Sequence, residues 1–374
     1  MTVVVVTGSK GFIGRHVVLA LQARDGVEVV AAEHATSPDV LAAAVRRADA
    51  IVHLAGVNRP ADPADFERGN TELTTAICEA AAAGGRAPVI VLSSSIQALS
   101  ESAYGRSKLR AERVLEDWAS AGCGAAVVLR LSNVFGKWCR PHYNSAVATF
   151  CHAIANEQPY SVRDPAAEVP LVYIDDVVAA ILDALDAPPA RSGLVRSAPA
   201  PITRITLGEL TTLLESFRAS RTTLRSPDFT TRFAQALYAT YLSYLPGAEF
   251  GYDLPLFTDA RGTLAEMLKN PAFGQIFVSR TKPGITRGNH WHHTKVEKFL
   301  VVEGDAAIRF RRVDSDEVIT HRVSGTRFRV VDIPPGYTHS IENTGATDMV
   351  CLFWASEIFE PERPDTRYED VLRA

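Results

Sequence analysis

This sequence of 374 residues is poor in the features that mark secreted, membrane-spanning or nucleic-acid-binding proteins. Its five cysteines, Cys78, Cys123, Cys139, Cys151 and Cys351, form no CxxC pair and are odd in number. That argues against a disulfide framework and for free thiols in a reducing compartment. No apolar run reaches the ~20 residues needed to cross a bilayer. The formal net charge of −4 offers no handle for nucleic acid or an anionic membrane. The opening stretch, Met1 to Gly8, has no basic leader and turns to glycine after four valines, so it reads as a strand and not a signal peptide. Repeats and low-complexity segments are absent. A cytoplasmic protein is expected, without nucleic-acid or membrane partners. Hydrophobic residues at 47% and charged residues at 22% make a globular composition. The length favours two domains, and the helix breaker Pro246-Gly247 divides them into 1–246 and 247–374.

The first region alternates buried strands with helical periodicity. Val3 to Val6 is apolar on both faces, as a parallel strand requires. Gly8, Lys10, Gly11, Phe12, Ile13 and Gly14 then make a tight turn into a helix, whose N-terminus suits a pyrophosphate. A second strand, Val27 to Ala32, ends at Glu33 and His34. Glu33, 25 residues after Gly8, is either a ribose-binding acid, which favours NAD(H), or an exposed strand-end residue. Further strands run into Leu54, Ala55 and Gly56 and into Ser93 to Ser95.

Tyr104 and Lys108 follow at a spacing that places phenol and ammonium on one helix face. A free tyrosine titrates near 10; a neighbouring cation and an NAD-type ring would favour the phenolate and make it a usable acid/base. Ser95 at a strand end can hold a substrate oxygen. These residues, with Arg130 to Gly136 and Tyr173 to Val177, resemble the extended short-chain dehydrogenases/reductases. The resemblance implies a Rossmann-type doubly wound α/β sheet and catalysis by Ser95, Tyr104 and Lys108. It also places Asn58, Arg59, Asn133, Lys137, Trp138, Arg140 and Asn144 near a substrate, commonly a nucleotide sugar. The loop from Lys137 to Asn144 is itself rich in cations and aromatics, as a diphosphate and a uracil ring would want; a packed lid is the other reading of it. Ser95 is followed by Ile96-Gln97 and not by the Asp-Glu pair of the family's dehydratases, so redox chemistry is preferred over elimination.

After Pro246 the pattern changes to short alternating strands, including 275–279, 297–302, 306–310 and 327–331, as in a jelly roll or small barrel. Five of the ten histidines lie between 290 and 339. His290, His292, Glu297 and His339 form a donor set suited to zinc or another divalent metal such as iron(II). His293 and His321 are not expected as ligands, and Cys351 is expected in the core. The stretches Gly284 to Gly304 and Pro334 to Asn343 resemble the two cupin motifs. A metal-free acid/base site, as in related sugar 3,5-epimerases, is the alternative.

Taken together, the two halves resemble the bifunctional capsular-polysaccharide UDP-2-acetamido-2,6-dideoxy-β-L-arabino-hexul-4-ose reductases over essentially the whole chain. That resemblance implies C3 epimerisation of a UDP-linked 4-keto-6-deoxy amino sugar in the cupin domain, then C4 reduction in the other domain. It implies NADPH, against the NAD(H) reading of Glu33; His34 and Arg59 are the residues that could compensate. A homodimer is the expected assembly. The epimerisation base is open among His293, Lys298 and Tyr337. Competing readings are a single-function 4-ketoreductase or 4-epimerase with a structural cupin, or a non-catalytic nucleotide sensor.

Overall fold

The course of β1 (Thr2–Thr7) is set by its valines: Val4 and Val6 pack into one core and Val5 into another. This alternation continues through β2 (Val27–Ala32), β3 (Ala50–His53), β4 (Val89–Ser95) and β5 (Ala125–Leu131), because successive strand residues point to opposite faces. In the computed structural model, which describes residues 1–190, 192–362 and 364–373, the chain divides into two compact units. One comprises 1–214 and 232–245, the other 215–231 and 246–374.

Among the described residues of the first unit, six strands form a parallel sheet in the order β2-β1-β3-β4-β5-(Leu194–Ser197). Helices Phe12–Gln22 and Ile174–Asp186 cover the Val4 face; Leu73–Gly84 and Ala103–Ser120 cover the Val5 face. This is the expected Rossmann-type α/β arrangement. The strand order reverses between β1 and β3, which opens a crevice at their carboxyl ends, the usual ligand position in such sheets. A smaller sheet of Asn133–Phe135, Glu168–Tyr173 and Thr203–Thr206 stands apart from the main one. The helical stretch expected after 206 is two helices, Leu207–Thr223 and Arg232–Leu242.

The second unit is built of antiparallel strands in two sheets. One runs Leu256–Asp259, Gly262–Asn270, Gly274–Thr281, Met349–Ala355, Glu297–Glu303, Val330–Ile333; the other Val318–Ser324, Asp305–Arg312, Tyr337–Asn343, Thr286–Trp291, Arg367–Tyr368. The all-β architecture agrees with a cupin jelly roll. Phe299, Ile308, Phe310, Ile341, Cys351 and Phe353 fill its core. Cys351 is thus a core thiol, its pKa pushed up to about 12 by burial. All five cysteines are free. The strand expected over 327–331 begins only at Val330, because Arg327 closes a turn with its N–H on the Ser324 carbonyl. The buried Arg311 holds the last segment in place: Nε donates to the Val371 carbonyl (3.0 Å), and Nη2 to Glu369 (2.7 Å) and the Asp370 carbonyl (2.8 Å). No helix among the described residues is long and apolar enough to cross a membrane.

Beneath the crevice of the first unit runs a buried polar chain. The Ala55 N–H donates to Thr7 Oγ1, leaving the Thr7 hydroxyl to donate to His53 Nδ1 at 2.8 Å. Thr74 gives its proton to the Asn70 carbonyl, so it accepts from His53 Nε2 at 3.1 Å. His53 is therefore neutral, and burial beside Lys108 lowers its pKa from 6.5 to about 3. A group neutral when folded and protonated when unfolded stabilises fully above pH 6.5 and loses that contribution as pH falls toward 3. Urea unfolding between pH 6.5 and 4 should show stability falling with a slope of about 1.4 kcal/mol per pH unit from this one group. His53→Gln should flatten the slope by that amount.

Candidate functional site

Each unit presents one constellation. In the first, the glycine turn closes on itself, the Gly11 N–H donating to the Gly8 carbonyl at 2.9 Å. Gly8 has φ +67° and a Cβ there would lie 2.8 Å from the Ala55 nitrogen; one on Gly14 would lie 2.1 Å from the Gly8 oxygen. Side chains are excluded at both positions, and backbone N–H groups are left facing a cleft of about 630 Å³. Along the cleft lie the turn from Gly8 to Gly14, then Leu54 and Gly56, then Ser95, Tyr104, Lys108 and Asn133.

Ser95 ends β4 and caps the short turn behind it, accepting from the Gln97 N–H at 3.1 Å. Tyr104 stands in the first turn of helix Ala103–Ser120, capped by Ser102, and its hydroxyl hydrogen-bonds to Ser95. Burial raises the Tyr104 pKa, and the Ser95 hydrogen bond only partly offsets it. In this state the phenol holds its proton, the form a proton donor needs. Lys108 Nζ donates to the Ser93 carbonyl at 3.0 Å, and desolvation lowers its pKa to about 8 against the opposing pull of Glu112.

Glu112 was not singled out from sequence, although it lies one further turn along the same helix face. It is fully buried, receives a hydrogen bond from Ser94 at 2.5 Å, and is gripped by Arg130 at 2.7 and 3.0 Å. Arg196 approaches at 3.6 Å. Burial pushes its pKa upward, but the Arg130 and Ser94 hydrogen bonds outweigh this and hold it ionised. Asn70, also missed, accepts the Val57 N–H and donates to the Val57 carbonyl and Ser107, which fixes the loop facing Lys108.

The other expected residues fall in two groups. Glu33 is paired with Lys10 at 2.5 Å, both partly exposed, and His34 is exposed beyond them. Trp138 reaches both this end and the main cleft: its ring lies 4.7 Å from that of His16, its carbonyl accepts from Arg15 at 2.7 Å, and it lines a cavity with Lys10 and Glu33 as well as the cleft with Tyr104. Lys137 stays beside Trp138 and reaches Asp175 at 3.4 Å. Toward Tyr104 lie Asn58, Arg59 and Asn144, which line a cavity with it. Tyr143 bridges Asn58 (2.9 Å) and Arg140 (5.6 Å, cation over ring), and Asn133 donates to the Pro170 carbonyl at 3.1 Å.

In the second unit, His290, His292, Glu297 and His339 come together with their donor atoms within 4.8 Å of one another. His290 and His339 are paired across adjacent strands. His292 Nδ1 donates to the Asp365 carbonyl and His339 Nδ1 to that of Tyr337. Both tautomers are thereby fixed with bare Nε2 lone pairs, which lie 3.5 and 3.2 Å from Glu297 and have no hydrogen-bond donor among the described residues. Buried polar atoms left so are rare, and neutral imidazoles oriented by carbonyls are what a metal site needs. Desolvation lowers the His290 pKa to about 4. Asp365 was missed. Its carboxylate takes the N–H groups of His293, Thr294 and Lys295 and so ties the last segment to the loop between His292 and Glu297.

His293 is exposed and His321 lies outside this cluster. Lys298 follows Glu297 on the strand and so faces the other side, toward Asp332 and Trp354. Tyr337 shares the face of His339.

Comparison with known proteins adds the following. Residues 4–193 match the family described as NAD dependent epimerase/dehydratase, and residues 257–367 match the polysaccharide biosynthesis C-terminal domain. The chain is 44% identical over 364 residues to the UDP-2-acetamido-2,6-beta-L-arabino-hexul-4-ose reductase of Pseudomonas aeruginosa, covering 97% of each. It resembles the crystal structure of the capsular polysaccharide assembling protein CapF from Staphylococcus aureus with TM-score 0.92 and 44% identity, over 98% of this chain and 100% of that one. A UDP-glucuronic acid 4-epimerase from Bacillus cereus, solved with NAD, shares the fold of the first part (TM-score 0.56, 18% identity, 65% of this chain and 98% of that one).

Removing Glu112 leaves Arg130 unpaired in a largely buried site, so Glu112→Ala should lower unfolding free energy by about 3 kcal/mol. Glu112→Gln should move the Lys108 titration, read by carbon-13 NMR of labelled lysine, below its wild-type midpoint.

Proposed function

The chain belongs to the NAD-dependent epimerase/dehydratase family, and from that premise we propose that it is a bifunctional nucleotide-sugar enzyme acting on a UDP-linked 4-keto-2-acetamido-2,6-dideoxyhexose. The second unit epimerises C3, and the first then reduces C4 with NADPH, NADH being the alternative coenzyme. The product is a UDP-2-acetamido-2,6-dideoxy-L-talose for polysaccharide synthesis. The observation that carries the reading is the pairing, in one chain, of a Ser95–Tyr104–Lys108 cleft with a three-histidine, one-glutamate cluster.

For the reduction, the Gly8–Gly14 turn presents backbone N–H groups to a pyrophosphate. A bound nicotinamide supplies the hydride for C4. Ser95 and Tyr104 then meet the C4 oxygen, and Tyr104 passes its proton to the forming alkoxide. Lys108, cationic below about 8, stabilises the phenolate left behind. The exposed Lys10–Glu33 pair bears on the coenzyme. Such pairs contribute roughly 0–1 kcal/mol, so a 2′-phosphate that draws Lys10 away from Glu33 loses little.

For the epimerisation, the C4 ketone acidifies C3–H. A proton leaves one face of C3 and returns to the other through an enolate. The bare Nε2 atoms of His292 and His339, with His290 and Glu297, fit a divalent cation such as zinc. When bound it supplies charge stabilisation to the enolate oxygen or holds the strands together. Of the three proton-transfer candidates, Tyr337 alone combines the inner face with closeness to His339.

With the UDP-4-keto substrate and NADPH in D₂O, Tyr104→Phe should reduce C4 at least 10²-fold more slowly and still exchange C3–H, read by proton NMR. Simultaneous loss of both activities in this variant would falsify the division of labour. Lys10→Ala should raise KM about 10-fold more for NADPH than for NADH.

A further inference from the structure

The inner wall of the second unit carries a residue that sequence spacing hides. Arg287 lies three positions before His290, and on a regular strand the two would face opposite sides. A bulge intervenes: Gly288 (φ +97°) and Asn289 (φ +56°) interrupt the register between the pairs Gly288↔Ser340 and His290↔His339. Arg287 is paired with Ile341, a core residue on the same face as His339. The extra residue therefore turns Arg287 onto the side of the histidine cluster.

From there Arg287 reaches across to the other sheet. Its Nε donates to Thr281 Oγ1 at 2.9 Å, and Thr281 is paired with Gly262, the neighbour of Arg261. Burial and then the nearby Arg261 disfavour the Arg287 charge, and Asp259, bound by Arg261 at 2.5 and 2.8 Å, offsets them only in part. Among the described residues Arg287 Nη2 has no hydrogen-bond partner. Tyr368, 86% exposed, stands between the two features: its ring is 6.3 Å from that of His290, and its hydroxyl lies within electrostatic reach of Arg261. Two arginines brought together, one with an unused donor and half withdrawn from water, lack an anion with several acceptor oxygens.

We propose that Arg287 and Arg261 form an anion subsite at the mouth of the β-barrel that takes the diphosphate of a nucleoside diphosphate sugar, and so directs the sugar ring toward His290. This rests on the epimerase reading of the second unit and supplies its missing substrate anchor. Arg287 contributes the planar donor pair that matches phosphate oxygens. Arg261, aimed by Asp259, closes the opposite side. The bulge is the device that lets one strand present both the anchor and a cluster imidazole.

The test uses the full-length protein with UDP as probe, in isothermal titration calorimetry. Wild type should bind two equivalents of UDP, one per unit. Arg287→Met should bind one, Arg287→Lys should keep the second at reduced affinity, and Arg261→Met, at an exposed position, should weaken it about 10-fold. A single equivalent in wild type, or two unchanged equivalents in Arg287→Met and Arg261→Met, would overturn the subsite. C3–H exchange in D₂O separates the two ideas. If the second equivalent depends on Arg287 but wild type does not exchange C3–H, the anion site stands and the epimerase reading falls. If exchange is present and its KM is the same in both arginine variants, the subsite falls.

Discussion

Everything in the first unit depends on how closely two backbones approach at the point where the sheet reverses direction. Gly8 sits so near Ala55 that a single methyl group would not fit. Closeness brings the turn and the β3 end together along one side of the cleft, and it also traps polar side chains beneath. The Thr7–His53–Thr74–Asn70 chain resolves that problem by satisfying each donor and acceptor in only one way. Its last member reaches Ser107, next to Lys108. The glycine turn and the helix of Tyr104 and Lys108 are thus two ends of one hydrogen-bonded structure, and neither can shift without disturbing the other.

The second unit solves the opposite problem. There, polar atoms are assembled and deliberately left without partners. Carbonyls of Asp365 and Tyr337 take the Nδ1 protons of two imidazoles, so their other nitrogens can only accept. Placing a carboxylate opposite two lone pairs is unfavourable unless something positive lies between or one ring is protonated. Asp365 performs two tasks at once: its backbone orients His292, and its side chain gathers three N–H groups of the intervening loop. The buried Arg311 secures the same segment a few residues further on.

Much of this was legible in the sequence, and for physical reasons. The valine run, the glycine turn, the Tyr104–Lys108 spacing and the histidine clustering are local patterns in which chemistry and geometry coincide. Residues escaped notice where function depends on a distant partner. Glu112 reads as one more helix glutamate until Arg130 and Ser94 arrive from neighbouring strands. Asp365 looks like part of a charged tail until the loop at 293–295 folds onto it. Trp138 was placed with the substrate by its loop; it lines the main cleft with Tyr104, and its packing against His16 of the first helix is a long-range contact that the loop's composition does not show. Desolvation of Tyr104 was equally out of reach, because it depends on which residues the fold packs around the ring.

The extra residue at Gly288-Asn289 has a wider meaning. A strand is a two-letter alphabet in which position decides inside or outside, and a bulge changes the phase of the text partway along the line. Upstream of it, the lining of the barrel is written on the other set of positions. The two halves of this strand can therefore vary separately: drift at Arg287 re-tools what enters the barrel, while the imidazole end keeps its spelling. One inserted or lost residue would swap the upstream lining wholesale without touching a single ligand, an abrupt route by which related barrels could come to accept different substrates.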